Sequence, residues 1–464
     1  MQRATTPPPS RRRRTSAGER GPSRAGPLLG LFALAFAVRV AYAWLAVGPG
    51  ATPSSDPAEY HAVAWNLARG AGFSLNASDG GPHPTAFVPP VVPWLVSLLY
   101  GIVGPDYFAA VLLQCAIGAC VPLLTAALGA SMFGASIGQV AAVLVAIDPL
   151  LVFFSGYLLT ETTFTAALLA ALAVTAEWVK TPRPGRAFGA GLLWGVAALT
   201  RPTALLLPLV VALWAWVPLG LTVAPRDRVR QVALLLAGLA IVVAPWAVRN
   251  TLVLGRFVPV KTGSGRALLD SNNEVVWGEP RLRGGAIGMY DREPWASQLR
   301  GLSETEVDDQ ATAMAWAFLA PRVSEWPAMA AAKLGRMWRL RGEAATTGTW
   351  QRSGSALDRV ARSVDPFLPW FALTLPFAIW GWVRTLRGPR RWFQALPAIA
   401  VVYFSAITVV FWGALRMRVP VEPLVLLLAA AGIEDARRRL RVRVSGLRIV
   451  RGAGARRAAV DLPG

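Results

Sequence analysis

The sequence predicts an all-α polytopic membrane protein: a bundle of about ten transmembrane helices with extracytoplasmic juxtamembrane helices and one mixed external region. Hydrophobic residues make up 54% of the chain, and its mean hydropathy is +0.44. Long apolar segments recur along most of the length. Basic clusters stand in alternate gaps between them, the pattern that orients a polytopic chain in its bilayer.

The first segment, Leu28 to Val47 (LLGLFALAFAVRVAYAWLAV), has the roughly 20 residues that cross a hydrocarbon core at about 1.5 Å each. Nine more are read at 107–130, 135–158, 163–179, 187–200, 203–220, 231–248, 366–383, 395–413 and 419–433. The basic clusters are Arg11 to Arg14, Lys180/Arg183/Arg186, Arg226/Arg228/Arg230, Arg384/Arg387/Arg390/Arg391 and Arg437 to Arg457. Facing the cytoplasm, they put both termini inside and leave the first loop and the stretch from 250 to 365 outside. The net charge of +21 then reflects orientation and contact with anionic lipid. Nucleic-acid binding is set aside, because no aromatic-interleaved module accompanies the arginines.

Five parts follow. Residues 1–27 are Pro-, Ser- and Arg-rich without apolar periodicity and read as a disordered basic cytoplasmic tail. Residues 28–249 form an N-terminal transmembrane module with an external first loop (48–106), and 250–365 an extracytoplasmic region. C-terminal transmembrane helices (366–435) and a basic cytoplasmic tail (436–464) complete the chain. The first segment reads as an uncleaved anchor, since its apolar run exceeds a signal-peptide core. Cys115 and Cys120, five apart on different faces of one helix, read as packing residues, neither disulfide nor metal pair.

The first loop opens with SSDPAEYHAVAWNLARGAGF. Asp56, Pro57 and Glu59 offer an N-cap, a proline at the first helical position and a reciprocal glutamate. Asp56, Tyr60, Val63 and Leu67 share one face, and ARGAG supplies the stop, so a short helix along the membrane is expected. Asp56 is either a cap or a chemical group, and the two roles are compatible. In the following GGPHPTAFVPPVVPWLVSLLYGIVG, four prolines (Pro84, Pro89, Pro90, Pro93) precede an apolar helix too short to span. His83 there reads as a ligand or base, or as a solvated hydrogen-bonding group. Asp148 precedes Pro149 inside the third segment, about 13 residues or roughly 20 Å from Glu161 along a continuous helix. At that depth it should pair or cap a half-helix. The external stretch TAMAWAFLAPRVSEWPAMAAAKLGRMWRL suits a helix at the interface or packed on the bundle.

An Asp with Tyr four residues on, then ARGAGF, PTAFVPPVVPWLVSLLYGIVG and LLTET resembles the membrane-embedded glycosyltransferases of the GT-C fold. The resemblance is to glycosyltransferase family 39, the aminoarabinose transferases, the rhizobial core-sugar transferases and the protein O-mannosyltransferases. It continues through LTRP (199–202), APWAVRN (244–250), GRFVPVKT (255–262), KLGRMW (333–338) and ALRMRVPVEP (414–423), covering about 28–435. It implies transfer of a sugar from a polyprenyl-phosphate donor to a glycan, lipid or protein acceptor, with inversion, at the extracytoplasmic face of the cell (inner or plasma) membrane.

Asp56 matches the catalytic first-loop Asp, and Glu161, placed at the outer end of the third span, the second acidic position. A single displacement needs one base near the acceptor hydroxyl. The lipid phosphate leaves as an anion that cations stabilise. Arg201, Arg249, Arg416 and Arg418, near expected outer span ends, are candidates for that task or for snorkelling to headgroups. Glu59, Tyr60, His83 and Lys261 join them as candidate substrate-binding residues. No cofactor is certain; a divalent cation held by Asp56 and Glu161 stays open, though no ligand cluster is dense enough to demand one. Aminoarabinose transferases carry a Lys near the first-loop proline segment. PHPTAFVPP has none, which argues against that donor. The rival class is a multi-span transporter or flippase of a lipid-linked substrate. It should gather polar groups at midplane and show internal repeats, whereas here the candidates cluster at one surface and no repeat is visible.

Overall fold

The computed structural model describes residues 25–76, 80–290, 292–338 and 367–458. Most of the expected N-terminal tail with Arg11 to Arg14, residues 339–365 of the expected external region, residue 366 at the start of the next expected segment and residues 459–464 lie outside the described residues.

Every segment expected to be apolar helix is helical. Among the described residues, six helical stretches are long and apolar enough to cross a membrane: 26–46 in α1 (Ala25–Ala46), α4 (Tyr107–Met132), α7 (Thr160–Lys180), Pro202–Gly220, α10 (Pro225–Leu254) and Arg391–Val410. The pair α5 (Ala135–Ala146) and α6 (Pro149–Ser155), bent by 56°, makes a seventh if counted as one broken span. The remaining three of the expected ten are α8 (Pro184–Thr200), α16 (Phe367–Arg387) and the start of α20 (Glu422–Ala458). They are helices of the bundle that fall short of that test of length and hydropathy. The chain is a multi-pass membrane protein.

Packing in this bundle relies on close backbone approach and satisfied polar groups, as expected where lipid gives helix association no hydrophobic drive. A Cβ on Gly191 of α8 would collide with the Leu235 carbonyl of α10, and one on Gly381 of α16 with the Leu428 carbonyl of α20. The buried indoles Trp178 and Trp194 donate to Gln231 Oε1 (2.7 Å) and Thr175 Oγ1 (3.1 Å). Asp148 caps α6, accepting from Leu151 N at 2.9 Å. This matches the half-helix expectation but removes the continuous-helix measure of its depth, because the chain breaks at the cap.

Four smaller elements follow α1. α2 (Asp56–Ala68) lies against α3 (Val91–Val103), joined by His61 Nδ1 and Tyr100 Oη at 2.7 Å. Between them β1 (Ser74–Asn76) pairs antiparallel with β2 (Pro82–Pro84), Leu75 opposite His83. The segment expected to be external contributes α11 (Ser264–Ser271), α12 (Glu274–Gly278), α13 (Trp295–Leu299), α14 (Glu304–Leu319) and α15 (Trp326–Trp338). α14 starts on a Ser303/Glu306 capping box, and Leu269, Met289, Trp295, Leu299, Ala311 and Ala315 form a small core. The amphipathic stretch expected as one helix is split after Leu319, where Pro321 lies in a turn of 3-10 helix (Ala320–Glu325). α15 then packs on α18 (Leu396–Val410) and α19 (Leu415–Arg418). α17 (Arg391–Gln394) precedes α18, and α9 (Leu207–Gly220) forms most of the 202–220 stretch. α20 runs through the basic stretch to Ala458, so the expected tail continues the last helix.

Candidate active site

The helix α2 begins differently from its sequence expectation. Ser55, not Asp56, is the N-cap, with φ of 55°, and no side chain caps the helix. Positive φ in a non-glycine residue is uncommon and costs conformational energy. Asp56 at the first helical position is thereby turned away from the helix amides. Glu59 does not close a capping box.

The Asp56 carboxylate instead meets Arg416: Arg416 Nη1 donates to Oδ2 at 2.6 Å. Arg416 Nε also donates to Glu161 Oε1. Arg201 Nη1 donates to the same oxygen at 2.8 Å, and Arg201 Nη2 approaches Met417 Sδ at 3.3 Å. Two carboxylates and two guanidiniums from four separate parts of the chain therefore form one chain of charge-assisted bonds. Glu161 does not end the third span, as expected, but stands in the first turn of α7, where the helix dipole favours a carboxylate. It is fully buried, and its Oε2 has no hydrogen-bond partner.

Around this chain lie Glu59, Tyr60, Lys261 and Arg266. Burial works to raise Asp56, but the charge and hydrogen bond of Arg416, then Lys261 and Arg266, hold its carboxyl below the usual carboxylate range. Burial first, and the Asp56 charge second, push Glu59 up to about 7. Burial raises the buried Tyr60 phenol and lowers the Lys261 amine. For Arg416, burial opposes the charge, yet Glu161 and Asp56 outweigh it and raise its pKa.

Lys261 Nζ and the Arg266 guanidinium lie 5.1 and 5.5 Å from the centroid of the Phe87 ring, and Arg266 also lies 5.1 Å from that of Tyr290. Neither side chain is paired with a carboxylate among the described residues. Their backbone is pinned. Thr262 N donates to Ala86 O at 3.0 Å, and Glu304 accepts from Thr85 Oγ1 (2.6 Å), Ala86 N (3.0 Å) and Thr262 Oγ1.

Three expected site residues are placed elsewhere. Arg249 spends its guanidinium on the carbonyls of Thr85 (2.6 Å) and Phe73 (2.8 Å), with Phe73 and Trp246 against its plane. It is a clamp on the first loop. Arg418, 1% exposed, pairs with buried Glu422 at 2.7 Å and lies over Phe371. Of Arg416 and Arg418, only Arg416 joins the cluster. His83 stands exposed on β2, in the strand pair that follows α2. Arg266 was missed by the sequence reading; its signal was a second basic residue, five positions after Lys261, in a Gly/Ser-rich helix start. Glu422, four residues from Arg418, was also readable as its partner.

Residues 87–248 match the family described as dolichyl-phosphate-mannose-protein mannosyltransferase. No curated protein sequence matches the chain. Among solved structures it is similar to the oligosaccharyltransferase AglB from Archaeoglobus fulgidus in complex with an inhibitory peptide and a dolichol-phosphate. There the TM-score is 0.54 at 15% identity, over 91% of this chain and 51% of AglB. It is also similar to ArnT from Cupriavidus metallidurans bound to undecaprenyl phosphate, with TM-score 0.54 at 15% identity over 95% of this chain and 67% of ArnT. The chain thus spans about half the length of AglB. It has the GT-C fold that its motifs suggested.

Proposed function

We propose that the chain is an inverting glycosyltransferase of the extracytoplasmic face of the cell membrane, moving a sugar from a polyprenyl-phosphate donor to a hydroxyl of an envelope glycan, lipid or protein. One observation carries the reading. Asp56 and Glu161, bridged by Arg416, sit within electrostatic reach of two cations, Lys261 and Arg266, that are in ion-pair contact with no carboxylate among the described residues. Such a site matches a reaction with one proton to accept and one phosphate to release.

In this reading the acceptor hydroxyl approaches the Asp56 face of α2. Its oxygen forms the new bond to the anomeric carbon as the bond to the phosphate oxygen breaks on the opposite side. The proton passes to a carboxylate, and the electron pair leaves on the phosphate. Lys261 and Arg266 hold that phosphate in place of the four arginines first considered, because Arg201, Arg416 and Arg418 are engaged with carboxylates and Arg249 with backbone carbonyls. Phosphate is a competent leaving anion, so no second carboxyl has to act as acid. Arg416 fixes both carboxylates, and Arg201 completes the charge balance around Glu161. A divalent cation between Asp56 and Glu161 does not fit, since the Arg416 guanidinium already bridges them.

A specific observation supports a second assignment of the base. Glu59 is pushed up to about 7 and its carboxyl has no hydrogen-bond or ion-pair partner among the described residues, whereas Asp56 is held low and bonded to Arg416. A general base works best with a pKa near the working pH.

The face is tested by reporters. Fusions after about residue 75 or 300 are expected to be active outside, and fusions after about 184, 228 or 388 only inside. External activity at 228 overturns the outward site.

A further inference from the structure

Arg416 lies six residues beyond the end of α18, on a segment that has little helix of its own to hold it. What holds it comes from the external region. Lys333 of α15 is 2% exposed, and its Nζ donates to Asn272 Oδ1 (3.0 Å), Val409 O (3.2 Å) and Val410 O (3.4 Å). The last two are terminal carbonyls of α18, which lack helical partners and attract a cation. No carboxylate pairs with Lys333 among the described residues. Burial brings the amine down to about 8, so most of it stays charged at neutral pH, and an ammonium has three N–H groups for these three acceptors.

The backbone that follows is gripped from the same element. Gly413 N donates to Gly284 O at 2.8 Å, and a Cβ on Gly413 would collide with the Lys333 carbonyl. Arg336, one turn along α15, donates to the carbonyls of Arg283 (2.7 Å) and Arg281 and so fixes the loop that carries Gly284. The segment therefore threads between α15 and this loop before Arg416 reaches Asp56 and Glu161.

We propose that Lys333 is a positioning residue for the transfer reaction: by capping α18 and fixing the segment through Gly413, it sets the Arg416 guanidinium between Asp56 and Glu161. A buried ammonium is a costly way to fill space that Met fills. Here the charge ties the external region to the one arginine shared by both carboxylates.

The proposal rests on the glycosyl-transfer reading, and its test keeps the two apart. Lys333→Met, Arg416→Gln and the double variant are expressed in a deletion strain. Product is read on the cell's own substrates by mass spectrometry of envelope glycans and lipid-linked sugars. Hydrogen exchange is measured on the purified full chain. Lys333→Met should speed exchange in peptides spanning 409–418 at least about tenfold while the rest of the bundle stays protected. It should lower transfer about tenfold or more, and the double variant should be no worse than Arg416→Gln alone. Lys333→Arg, which keeps the charge, should restore part of the activity. Unchanged exchange at 409–418, or losses that multiply in the double variant, overturn the positioning role. If Arg416→Gln leaves product unaltered, the transfer reading fails instead, while exchange still decides whether Lys333 holds the segment. Should Lys333→Met fail to fold, Gly413→Ala, which presses on the same contact, must show the same local exchange and non-additivity, or the proposal falls.

Discussion

Asp56→Asn is expected to lower transfer by about 100-fold or more while leaving an inserted protein that still binds polyprenyl phosphate. The structure sharpens this expectation. Asp56 caps nothing, so Asn has no capping role to preserve, and what disappears is the carboxylate and its bond to Arg416. Glu59→Gln is the companion. If Asp56 takes the proton, the pH profile rises well below neutrality, where its low-lying carboxyl loses its proton, and Glu59→Gln has a mild effect. If Glu59 takes it, activity rises with pH through about 7, as that carboxyl deprotonates, and Glu59→Gln abolishes transfer. In that case Asp56→Asn shifts the rise to lower pH, because it removes the negative charge that helps hold Glu59 up. Near-normal turnover of Asp56→Asn with an unshifted profile excludes Asp56 from both roles.

The second large effect concerns the phosphate. Replacing Lys261 and Arg266 with Gln should weaken binding of undecaprenyl phosphate by roughly 10- to 100-fold each, since a charge-assisted hydrogen bond is worth about 1.5 to 3 kcal/mol. Arg418→Gln provides the contrast. It strands Glu422 in the bundle and should destabilise the fold by about 3 to 5 kcal/mol, without a direct effect on phosphate affinity in the protein that folds. Titration of the purified variants with the lipid phosphate separates the outcomes. Loss of affinity in a folded Arg418→Gln variant, with none for Lys261 and Arg266, would return the phosphate to Arg418.

These contrasts mark what the sequence could reveal. Helices were readable because their signals are local: the apolar run of α1, the proline after Asp148, the glycines after α2. Glu161 and Asp56 were found through their motifs. Their bridge was not, because Arg416 lies 360 residues from Asp56, and no periodicity encodes that contact. Capping by Asp56 was the natural reading of Asp-Pro-Ala-Glu, yet the tertiary pull of a guanidinium outcompeted it, leaving Ser55 with a strained backbone. Arg249 looked like a phosphate ligand since any arginine at a span end does. Its actual acceptors are backbone carbonyls of Phe73 and Thr85, which pattern reading cannot see. Of the ten segments expected to cross, α8, α16 and α20 are helical and apolar in part, but shorter or more polar than a clean crossing, so their local signal is the weakest of the set.

The central claim is sugar transfer from a lipid phosphate, and the most direct measurement is mass spectrometry of the envelope of a deletion strain. The account predicts that one glycosylated product disappears while its polyprenyl-phosphate sugar accumulates, and that the wild-type chain, but not Asp56→Asn, restores both. An unchanged set of envelope glycans with no accumulated lipid-linked sugar would contradict it.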